Sequence, residues 1–350
     1  MQNPKIDSRR LFQAACSGKP LARPPFWLMR QAGRYLPEYR ELKSKYGFLG
    51  IVKTPEVGVE AALQPIRRFD FDCAILFSDI LVVSEALGFP YNFKEKGGII
   101  LDKKIDSARD IAVIRDNRQA LSERLNYVRE NLVLLRKELP NKAVLGFCGS
   151  PFTIGAYMVE GESAEGFPKY RKFIKEYPQL FAELMQELAM ALSDYAQMQA
   201  QCGIDAFQIF DSHAALSQMG DYFNTSARYI TPIIKSISDK TRTILFANGM
   251  TNRFEELLPT KADIYSLDSS IPLSSIFNKY KSRAEFSLQG NLPPQILSEG
   301  SITEVAQKTR DVVTDMLANS HHIFNLGHGI RPDAKLENVQ SMCDTIKQFI

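Results

Sequence analysis

The sequence lacks the patterns that identify several protein classes. No run of 18 apolar residues occurs and the N-terminal segment has no apolar core, so we expect neither a membrane span nor a signal peptide. GxGxxG and GxxxxGK[ST] are both absent, which removes the main reasons to expect a dinucleotide or a phosphate-binding loop. The histidines and cysteines show neither HExxH nor CxxC spacing. We therefore predict no cofactor and no protein-bound metal.

Charge and cysteine content narrow the possible partners and compartment. The formal net charge is +3, which is compatible with acidic substrates but far from the strongly basic character of a dedicated nucleic-acid binder. The five cysteines are odd in number and never closely paired, which indicates reduced and mostly buried thiols. We therefore predict a cytoplasmic protein that binds neither nucleic acid nor membrane.

Short apolar segments alternate with amphipathic ones along the whole chain. The apolar segments predict eight strands, at residues 26–29, 73–77, 143–147, 206–210, 243–246, 263–267, 285–288 and 323–326. Their nearly continuous apolar character is typical of parallel strands that helices cover on both faces. Helices are predicted at residues 55–68, with Thr54 as N-cap, and over the apolar stripes at 180–192 and 336–349. Eight such strands predict a closed (β/α)8 TIM barrel, with residues 1–350 forming one domain.

Each predicted strand is followed by a polar residue or a glycine. These residues are Arg30, Asp79, Gly149, Ser150, Asp211, Ser212, Asn248, Asp268, Gln289, Asn291 and His328. A (β/α)8 barrel builds its active site from the loops at the C-terminal ends of its strands, whereas an open sheet gathers its ligand groups at one switch point. The pattern therefore predicts a ring of polar side chains around a barrel mouth. The polar segment 94–110 is interpreted as an insertion on this rim.

Three arginines follow the first predicted strand. Arg30 and Arg34 are close enough in the chain to converge on one ligand, and a guanidinium group binds a carboxylate through two hydrogen bonds. The alternative for each is a structural ion pair with Glu38 or Glu41. Arg40 fits a surface charge pattern instead. We predict an anion site at Arg30 and Arg34.

The polar residues after two further strands allow more than one interpretation. Asp79 either caps a helix or is functional. Asp211, Ser212 and His213 resemble parts of a catalytic triad, but adjacent residues do not easily reproduce that geometry. We therefore expect Ser212 to donate its hydroxyl hydrogen to a bound anion.

Three of the histidines lie near the last predicted strand. His328 stands between two glycines, which let a ligand approach closely. His321 and His322 precede the strand, and we expect both at the surface. Only His328 is therefore a candidate for the site.

A set of segments together resembles the uroporphyrinogen decarboxylase family. MRQAGRYLPEYR and GFCGSPFTIGAYMVEG resemble its two signature segments, and LQPIRRF, FSDIL, FDSHA, LQGN and NLGHG match further family segments in order. The similarity runs from about Arg9 to the C-terminus. It implies a cofactor-independent carboxy-lyase, usually a homodimeric single barrel, that removes CO2 from the four acetate groups of uroporphyrinogen in haem biosynthesis. The implied partner is this tetrapyrrole, and the implied product is coproporphyrinogen.

The resemblance also implies roles for individual residues. Arg30 and Arg34 match arginines that meet substrate carboxylates, and Asp79 matches the acid that faces the pyrrole N–H groups. Four further residues match family residues that line the same cleft: the polar Tyr157, Ser212 and His328 and the apolar Phe210. The sequence departs from the commonest family pattern at Ser269, Pro293 and Lys43. These departures affect the expected loop geometry.

The implied chemistry explains why acidic and basic residues would meet in one site. Most decarboxylases use pyridoxal, thiamin or a metal as electron sink, whereas a pyrrole protonated on a ring carbon is its own sink. An ionised Asp79 at ~4 Å, with an effective dielectric of ~20, would stabilise this cation by about 4 kcal/mol, on the order of a thousandfold in rate. The expected proton donor is a water or a carboxyl group organised by Arg30, with Tyr157 and His328 as alternatives, because a guanidinium is a poor acid.

Two other functions are considered. Barrel methyltransferases typically bind zinc through a His-x-Cys pair, and no histidine here has a cysteine two residues later. A non-catalytic polyanion carrier would be weakened by an acid such as Asp79 at its centre. Both observations favour the decarboxylase.

Overall fold

The computed structural model describes residues 7–94 and 97–349. Its strands, in chain order, are β1 (Cys73–Ile75), β2 (Tyr91–Phe93), β3 (Ile99–Leu101), β4 (Ala143–Gly149), β5 (Ala206–Asp211), β6 (Arg242–Ala247), β7 (Ile264–Ser266), β8 (Ser287–Leu292) and β9 (His322–Leu326). β1 and β4 to β9 form one parallel sheet in that order, and β2 and β3 form a separate antiparallel hairpin. The fold is therefore the predicted α/β barrel type.

Helices lie between successive strands and cover the sheet. In chain order they are α1 (Ser8–Cys16), α2 (Pro37–Lys53), α3 (Pro55–Phe69), α4 (Val82–Ala86), α5 (Ala108–Asn117), α6 (Leu121–Arg124), α7 (Asn126–Glu138), α8 (Pro151–Glu160), α9 (Pro168–Glu176), α10 (Pro178–Ala200), α11 (Arg228–Ile237), α12 (Leu273–Tyr280), α13 (Ile296–Glu299), α14 (Ile302–Leu317) and α15 (Leu336–Lys347). Among the described residues, no helix has both the length and the apolar character that crossing a membrane requires.

The three predicted helices are confirmed. Thr54 occupies the N-cap position of α3, but its side chain forms no capping hydrogen bond. The apolar stripe of α10 faces the core, since Leu184, Leu188 and Leu192 are fully buried. Periodicity therefore placed these helices correctly, because burial of one face stabilises each of them.

The first predicted strand, at residues 26–29, is not a regular strand, and this prediction was wrong. The segment forms one parallel bridge, between Phe26 and Phe324 of β9. Its backbone nevertheless reaches both neighbours: Phe324 N–H donates to the Pro25 carbonyl at 2.8 Å, and Asp72 N–H donates to the Phe26 carbonyl at 3.0 Å. Pro25 has no N–H to extend the ladder. We call residues 26–29 the barrel-closing segment, because it links β9 to the start of β1.

The other seven predicted strands are confirmed with shifted ends. Residues 285–288 predicted a strand that the structure places at Ser287–Leu292, and residues 73–77 predicted one that ends at Ile75. The early end of β1 leaves the chain up to Asp79 in a loop at the mouth. Of the predicted rim segment 94–110, residues 95 and 96 lie outside the described part, and residues 99–101 form β3.

The barrel interior holds a buried polar layer. Trp27 Nε1 donates to Gln289 Oε1 at 3.0 Å, and Gln289 Nε2 donates to Gln208 Oε1 at 3.1 Å and to Ser266 Oγ at 2.9 Å. All four side chains are fully buried. Gln289, which was expected in the polar ring at the mouth, is therefore a structural group inside the barrel.

Candidate active site

Arg30 lies in a tight turn that follows the barrel-closing segment. Gln31 N–H donates to the Leu28 carbonyl at 3.0 Å, which closes a four-residue turn. Met29 N–H donates to Asn325 Oδ1 at 3.0 Å and thereby ties the turn to β9. Arg30 has a φ of 64°, a conformation that residues other than glycine adopt rarely. Such strain is typical of functional positions that the surrounding structure holds in place.

Within residues 7–94 and 97–349, neither Arg30 nor Arg34 forms an ion pair with a carboxylate. Glu38, the predicted alternative partner, is held by Arg68 through hydrogen bonds of 2.8 and 3.0 Å. Arg40 donates to the Arg34 carbonyl at 2.9 Å, so its guanidinium supports the backbone. The side chains of Arg30 and Arg34 are exposed. The structural ion pair with Glu38 was therefore the wrong alternative, and both guanidinium groups can meet an anion.

Asp79 combines the two interpretations that its sequence position allowed. Its Oδ1 accepts a hydrogen bond of 2.8 Å from Leu81 N–H, just before α4 begins. The Tyr91 hydroxyl lies close enough to the carboxylate to favour its charged form. Asp79 is half-buried, and burial raises the pKa of its carboxyl group. The residue thus supports a helix start and also presents a carboxylate that takes up a proton more readily than an ordinary aspartate.

Asp79, Tyr157 and His328 each lie within electrostatic range of Arg30. The charge of Arg30 opposes the effect of burial on the pKa of Asp79. The pKa of Tyr157 is raised by burial and then by Asp79, while Arg30 acts in the opposite direction. The pKa of His328 is lowered by burial and then by Arg30. Three of the predicted site residues are therefore gathered around Arg30.

Arg34 lies at the edge of this group. Its charge partly opposes the rise that burial causes in the pKa of Tyr39. The Tyr39 ring packs against Phe77 with centroids 5.6 Å apart, two residues before Asp79. No direct contact joins Arg34 to Asp79 in the described structure, so the two lie near each other only through these rings.

Aromatic rings form a continuous row at the ends of the strands. Phe210 packs edge to face against Phe147 at 5.5 Å and against Phe246 at 6.1 Å between ring centroids. Phe246 in turn lies 5.8 Å from the ring of His328. Such a row presents an apolar surface beside the charged groups, which suits the wall role predicted for Phe210.

Tyr157 belongs to a second aromatic group. Its ring centroid lies 5.3 Å from those of Phe167 and His213. Burial lowers the pKa of His213 to about 4, so this imidazole is neutral at pH 7. His213 thus packs beside Tyr157 as a neutral aromatic ring.

Asp211 is a structural residue, and no catalytic triad forms with its neighbours. It is fully buried and accepts four hydroxyl hydrogen bonds. The donors are Ser150 at 2.8 Å, Thr153 at 3.0 Å, Tyr222 at 3.0 Å and Ser226 at 2.6 Å. Ser212, by contrast, is half-buried, and only its carbonyl is engaged, by Asn248 Nδ2 at 3.3 Å. Its hydroxyl is therefore free to bind a ligand.

A cavity of about 210 Å³ lies at the barrel mouth. Its lining consists of Asn248, Asp268, Ser269, Pro294, Gln295, Gly327, His328, Gly329 and Arg331. The lining thus includes Asn248, Asp268 and His328 of the polar ring predicted at the mouth, whereas of the residues matched to the family site it includes only His328. The cavity therefore adjoins the group around Arg30 through His328 and Gly329.

The three departures from the family pattern differ in their surroundings. Ser269 lines the cavity, and its backbone nitrogen would stand 2.6 Å from a Cβ atom at position 327, where the chain has glycine. The Pro293 carbonyl accepts a hydrogen bond of 3.2 Å from Ile296 N–H. Lys43 is exposed on α2. Of the three, only Ser269 borders the mouth.

His322 contradicts its expected surface position. It is the first residue of β9, is 3% exposed and bonds to the Gly290 carbonyl through Nε2 at 2.8 Å. Its neighbour His321 is half-buried, with Nδ1 3.1 Å from Ser287 Oγ. The error arose because the strand begins one residue earlier than its apolar run.

Tyr91 is a site residue that the sequence did not indicate. It begins β2 and is 2% exposed, and the pKa of its hydroxyl is raised by burial and then by Asp79. The buried hydroxyl oxygen forms no hydrogen bond of standard geometry with the described residues, but it lies close enough to Asp79 to favour the charged form of that carboxyl group. Only the folding of the β2–β3 hairpin brings this hydroxyl close to Asp79, and the residue types around Tyr91 contain no sign of it.

Structural similarity supports the fold assignment. A methyltransferase from Methanosarcina mazei superposes with a TM-score of 0.75 over 97% of this chain and 98% of its own, at 20% identity. A B12-independent methionine synthase from a Shewanella species superposes with a TM-score of 0.54 at 12% identity, covering 95% of this chain and 96% of its own. At these identities the likeness concerns the fold alone.

Sequence comparison identifies the family. The model described as uroporphyrinogen decarboxylase matches residues 7–349. A uroporphyrinogen decarboxylase from Campylobacter jejuni is 37% identical over 97% of this chain and 98% of its own length. Proteins with the same description from Ruthia magnifica, 36% identical over 95% and 96%, and Chloroflexus aurantiacus, 35% identical over 97% and 96%, are similar over the same extent. The chain therefore belongs to the uroporphyrinogen decarboxylase family.

Proposed function

We propose that Asp79 and Arg30 are the catalytic residues with which this carboxy-lyase removes CO2 from the acetate groups of uroporphyrinogen III. The product is coproporphyrinogen III, an intermediate of porphyrin biosynthesis. The observation that carries this proposal is the placement of an unpaired guanidinium, on a backbone with positive φ, within electrostatic range of a half-buried carboxylate. A site for a polyanion that becomes transiently cationic requires both groups.

Asp79 would act on the cation that forms during decarboxylation. Protonation of a pyrrole ring carbon produces a positive ring, which then accepts the electron pair of the breaking C–C bond. Because Asp79 is half-buried, its negative charge is less screened than it would be in water. An interaction of about 4 kcal/mol at ~4 Å and an effective dielectric of ~20 corresponds to about a thousandfold in rate.

Arg30 and Arg34 would hold substrate carboxylates. Both side chains are exposed and without carboxylate partners in the described part of the chain, so a ligand does not have to displace an internal ion pair. The Ser212 hydroxyl and the polar tips of Tyr157 and His328 would add hydrogen bonds. Phe210 would pack its ring against the apolar part of the tetrapyrrole.

The proton that enters the ring would come from a water or a carboxyl group beside Arg30. Tyr157, with its pKa raised, is a weak acid, and His328, with its pKa lowered, is mostly neutral near pH 7. A carboxyl group with a raised pKa is the stronger acid among these side chains. The chemistry therefore favours a carboxyl group over Tyr157 and His328.

Replacement of Asp79 tests the proposed function. Asp79→Asn keeps an oxygen for the Leu81 N–H, so the fold should persist, while turnover of uroporphyrinogen should fall by about a thousandfold. The assay is anaerobic incubation, with separation of the partly decarboxylated intermediates by chromatography. Asp7→Asn is the matched control, because Asp7 accepts a comparable local hydrogen bond from Arg10 N–H at 3.1 Å at the start of α1 and is not among the predicted site residues. Near wild-type turnover by folded Asp79→Asn would refute the proposal.

We further propose that the chain forms one domain over residues 1–350, assembles as a homodimer and acts in the cytoplasm. Met219 and Phe223 support an interface, since their side chains are 85% and 48% exposed and large exposed apolar side chains are typical of interaction surfaces. The five cysteines are all free thiols, as suits a reducing compartment. Sedimentation equilibrium of the wild type and of Met219→Ser/Phe223→Ser tests the dimer. A monomeric wild type would refute it.

A further inference from the structure

Two buried tyrosine hydroxyls lie behind Asp79 and have no place in the chemistry described so far. They belong to Tyr91 at the start of β2 and to Tyr127 in the first turn of α7. Both hydroxyl oxygens are buried, and neither forms a hydrogen bond of standard geometry with the described residues, although the Tyr91 hydroxyl closely approaches Asp79. Leaving a buried hydroxyl unsatisfied costs roughly 1–3 kcal/mol, and a phenylalanine would fill the same space without this cost. The hydroxyl groups therefore call for a reason beyond packing.

The two tyrosines lie between two carboxylates. Burial is the main cause of the raised pKa of each tyrosine, but the next cause differs: it is Asp79 for Tyr91 and Glu85 for Tyr127. Tyr127 is the next contributor to the raised pKa of Tyr91, so the two hydroxyls lie near each other. Ranked by these effects, the four groups form the series Asp79, Tyr91, Tyr127, Glu85.

Glu85 connects this series to the surface. It lies on α4, and its side chain is 30% exposed and paired with Lys53 at 2.6 Å. Asp79, at the other end, lies at the barrel mouth near Arg30. The series therefore has one end at a partly exposed side chain and the other at the site where the substrate would react.

The reaction consumes protons, so the site needs a supply of them. Each decarboxylation breaks one C–C bond and releases CO2, and the electron pair of that bond ends in a new C–H bond. One proton is taken up for each CO2 released, with no change of oxidation state in the protein. A tetrapyrrole that occupies the mouth would cover the direct route from bulk water, which makes a second route through the wall valuable.

We propose that Glu85, Tyr127 and Tyr91, bridged by water, form a proton route from the outer surface to Asp79. This inference rests on the proposed function of Asp79. A proton from bulk water binds Glu85, and each tyrosine accepts a proton on its oxygen while passing its own hydrogen onward. Asp79 receives the proton and donates it to the pyrrole ring carbon, which leaves the carboxylate ionised beneath the cation. After CO2 has left, a second proton binds the exocyclic methylene carbon to form the methyl group, and the ring carbon returns its proton to Asp79, so that the net uptake is one proton for each CO2. Water is the fitting bridge, because buried waters in proteins typically satisfy such unpartnered polar groups.

Tyr127→Phe tests the middle of the route, away from the substrate. We expect kcat to fall by about 10- to 100-fold with KM unchanged, and the solvent deuterium isotope effect on kcat to increase, because proton transfer becomes rate-limiting. Tyr280→Phe on α12, which removes a hydroxyl from a side chain that is also largely buried, is the control and should match the wild type. A wild-type kcat and isotope effect in Tyr127→Phe would overturn the route. Tyr91→Phe provides the same test if Tyr127→Phe does not fold.

A second pair of variants tests the entry point. Glu85→Gln and Lys53→Gln both remove the same ion pair, but only Glu85→Gln removes the group that takes up the proton. We expect kcat to fall in Glu85→Gln and to stay at the wild-type value in Lys53→Gln. Equal losses in both would show that the ion pair is structural and would overturn Glu85 as the entry.

The outcome with Asp79→Asn separates this inference from the proposed function. A slow Asp79→Asn together with a fully active Tyr127→Phe refutes the route and leaves the function of Asp79 intact. A fully active Asp79→Asn refutes the proposed function and deprives the route of its end point. Loss of kcat in both variants, with the larger isotope effect in Tyr127→Phe, supports both.

Discussion

The side chain of Arg30 lies directly against Gly329. A Cβ atom at position 329 would stand 2.6 Å from Cδ and 3.0 Å from Nε of Arg30, closer than real Cβ contacts allow. The backbone cannot easily relieve such a clash, because Ile330 N–H donates to the Met29 carbonyl at 2.9 Å and joins the two segments. The position of the guanidinium therefore depends on a glycine in the loop after β9.

Gly329→Ala should displace Arg30 and leave the barrel folded. We expect kcat/KM for uroporphyrinogen to fall by about 10- to 100-fold, which corresponds to about 1.4–2.8 kcal/mol of transition-state stabilisation. Steady-state kinetics measures this, and thermal unfolding checks the fold. In Gly50→Ala, the control, the new Cβ would lie 3.6 Å from Tyr46 Cβ, an ordinary contact. Unchanged kcat/KM in Gly329→Ala would contradict the dependence of Arg30 on this glycine.

Removal of either candidate carboxylate-binding arginine should weaken substrate binding. Arg30→Met and Arg34→Met each delete a charge-assisted hydrogen-bonding group, which is worth about 1.5–3 kcal/mol or about 10- to 100-fold in affinity. Arg310→Met, which removes an exposed guanidinium from α14, should bind like the wild type. Anaerobic titration with uroporphyrinogen at two salt concentrations measures the affinities. If Arg34→Met binds as tightly as Arg310→Met, then Arg34 has no part in the site.

Ser212→Ala should affect binding but not stability. Its carbonyl keeps the bond from Asn248, so the substitution removes only a free hydroxyl, with an expected loss of about 1 kcal/mol or roughly fivefold in KM. Ser226→Ala should affect stability but not binding. It removes a 2.6 Å hydrogen bond to the buried Asp211 and should therefore lower the melting temperature. Comparison of KM and melting temperature in the two variants distinguishes the roles. A lower melting temperature in Ser212→Ala would contradict the free hydroxyl.

His322 should make the protein less stable in acid. Nε2 donates to the Gly290 carbonyl, so protonation would place a charged N–H at Nδ1, which is buried without a partner among the described residues. Burial lowers the pKa of His322 to about 4, whereas an unfolded histidine titrates near ~6.5. The unfolded state therefore binds the proton more readily between these values. The stabilisation from neutral His322 is complete above pH ~6.5 and is lost as pH falls toward about 4.

His322→Gln should reduce this acid sensitivity, because an amide can keep the bond to Gly290 and does not titrate. The difference of about 2.5 pKa units corresponds to about 3 kcal/mol between pH 7 and pH 4, as an order of magnitude. Urea unfolding at pH 7.5 and pH 5 measures the free energy of unfolding of both proteins. The pKa of His213 is also about 4, so the free energy of unfolding of the variant should still decrease somewhat between pH 7.5 and pH 5. If the free energy of unfolding fell equally with pH in the wild type and the variant, His322 would not be the source of the acid sensitivity.

Local sequence was sufficient where one segment alone carries the structural information. Apolar runs and helical stripes predicted seven strands of the sheet and α3, α10 and α15, because burial of a continuous face does not depend on the details of its neighbour. The polar strand ends and the family segments also located Arg30, Asp79, Tyr157 and His328, which the structure gathers. Their catalytic and binding roles, and the single domain, stay predictions.

Contacts between distant segments account for what the sequence left open or placed wrongly. Residues 26–29 are apolar like a strand, yet Pro25 and the turn at Arg30 limit them to one bridge, and partners on both sides supply the rest. Gln289 was predicted, like Asp79, to follow a strand and to face the mouth. It points into the barrel instead, where it forms hydrogen bonds with Trp27 and Gln208. Tyr91 reaches Asp79 only through a hairpin. A residue's chemistry and its periodic position are local properties, whereas burial, pKa and hydrogen-bond partners come from segments that folding brings together.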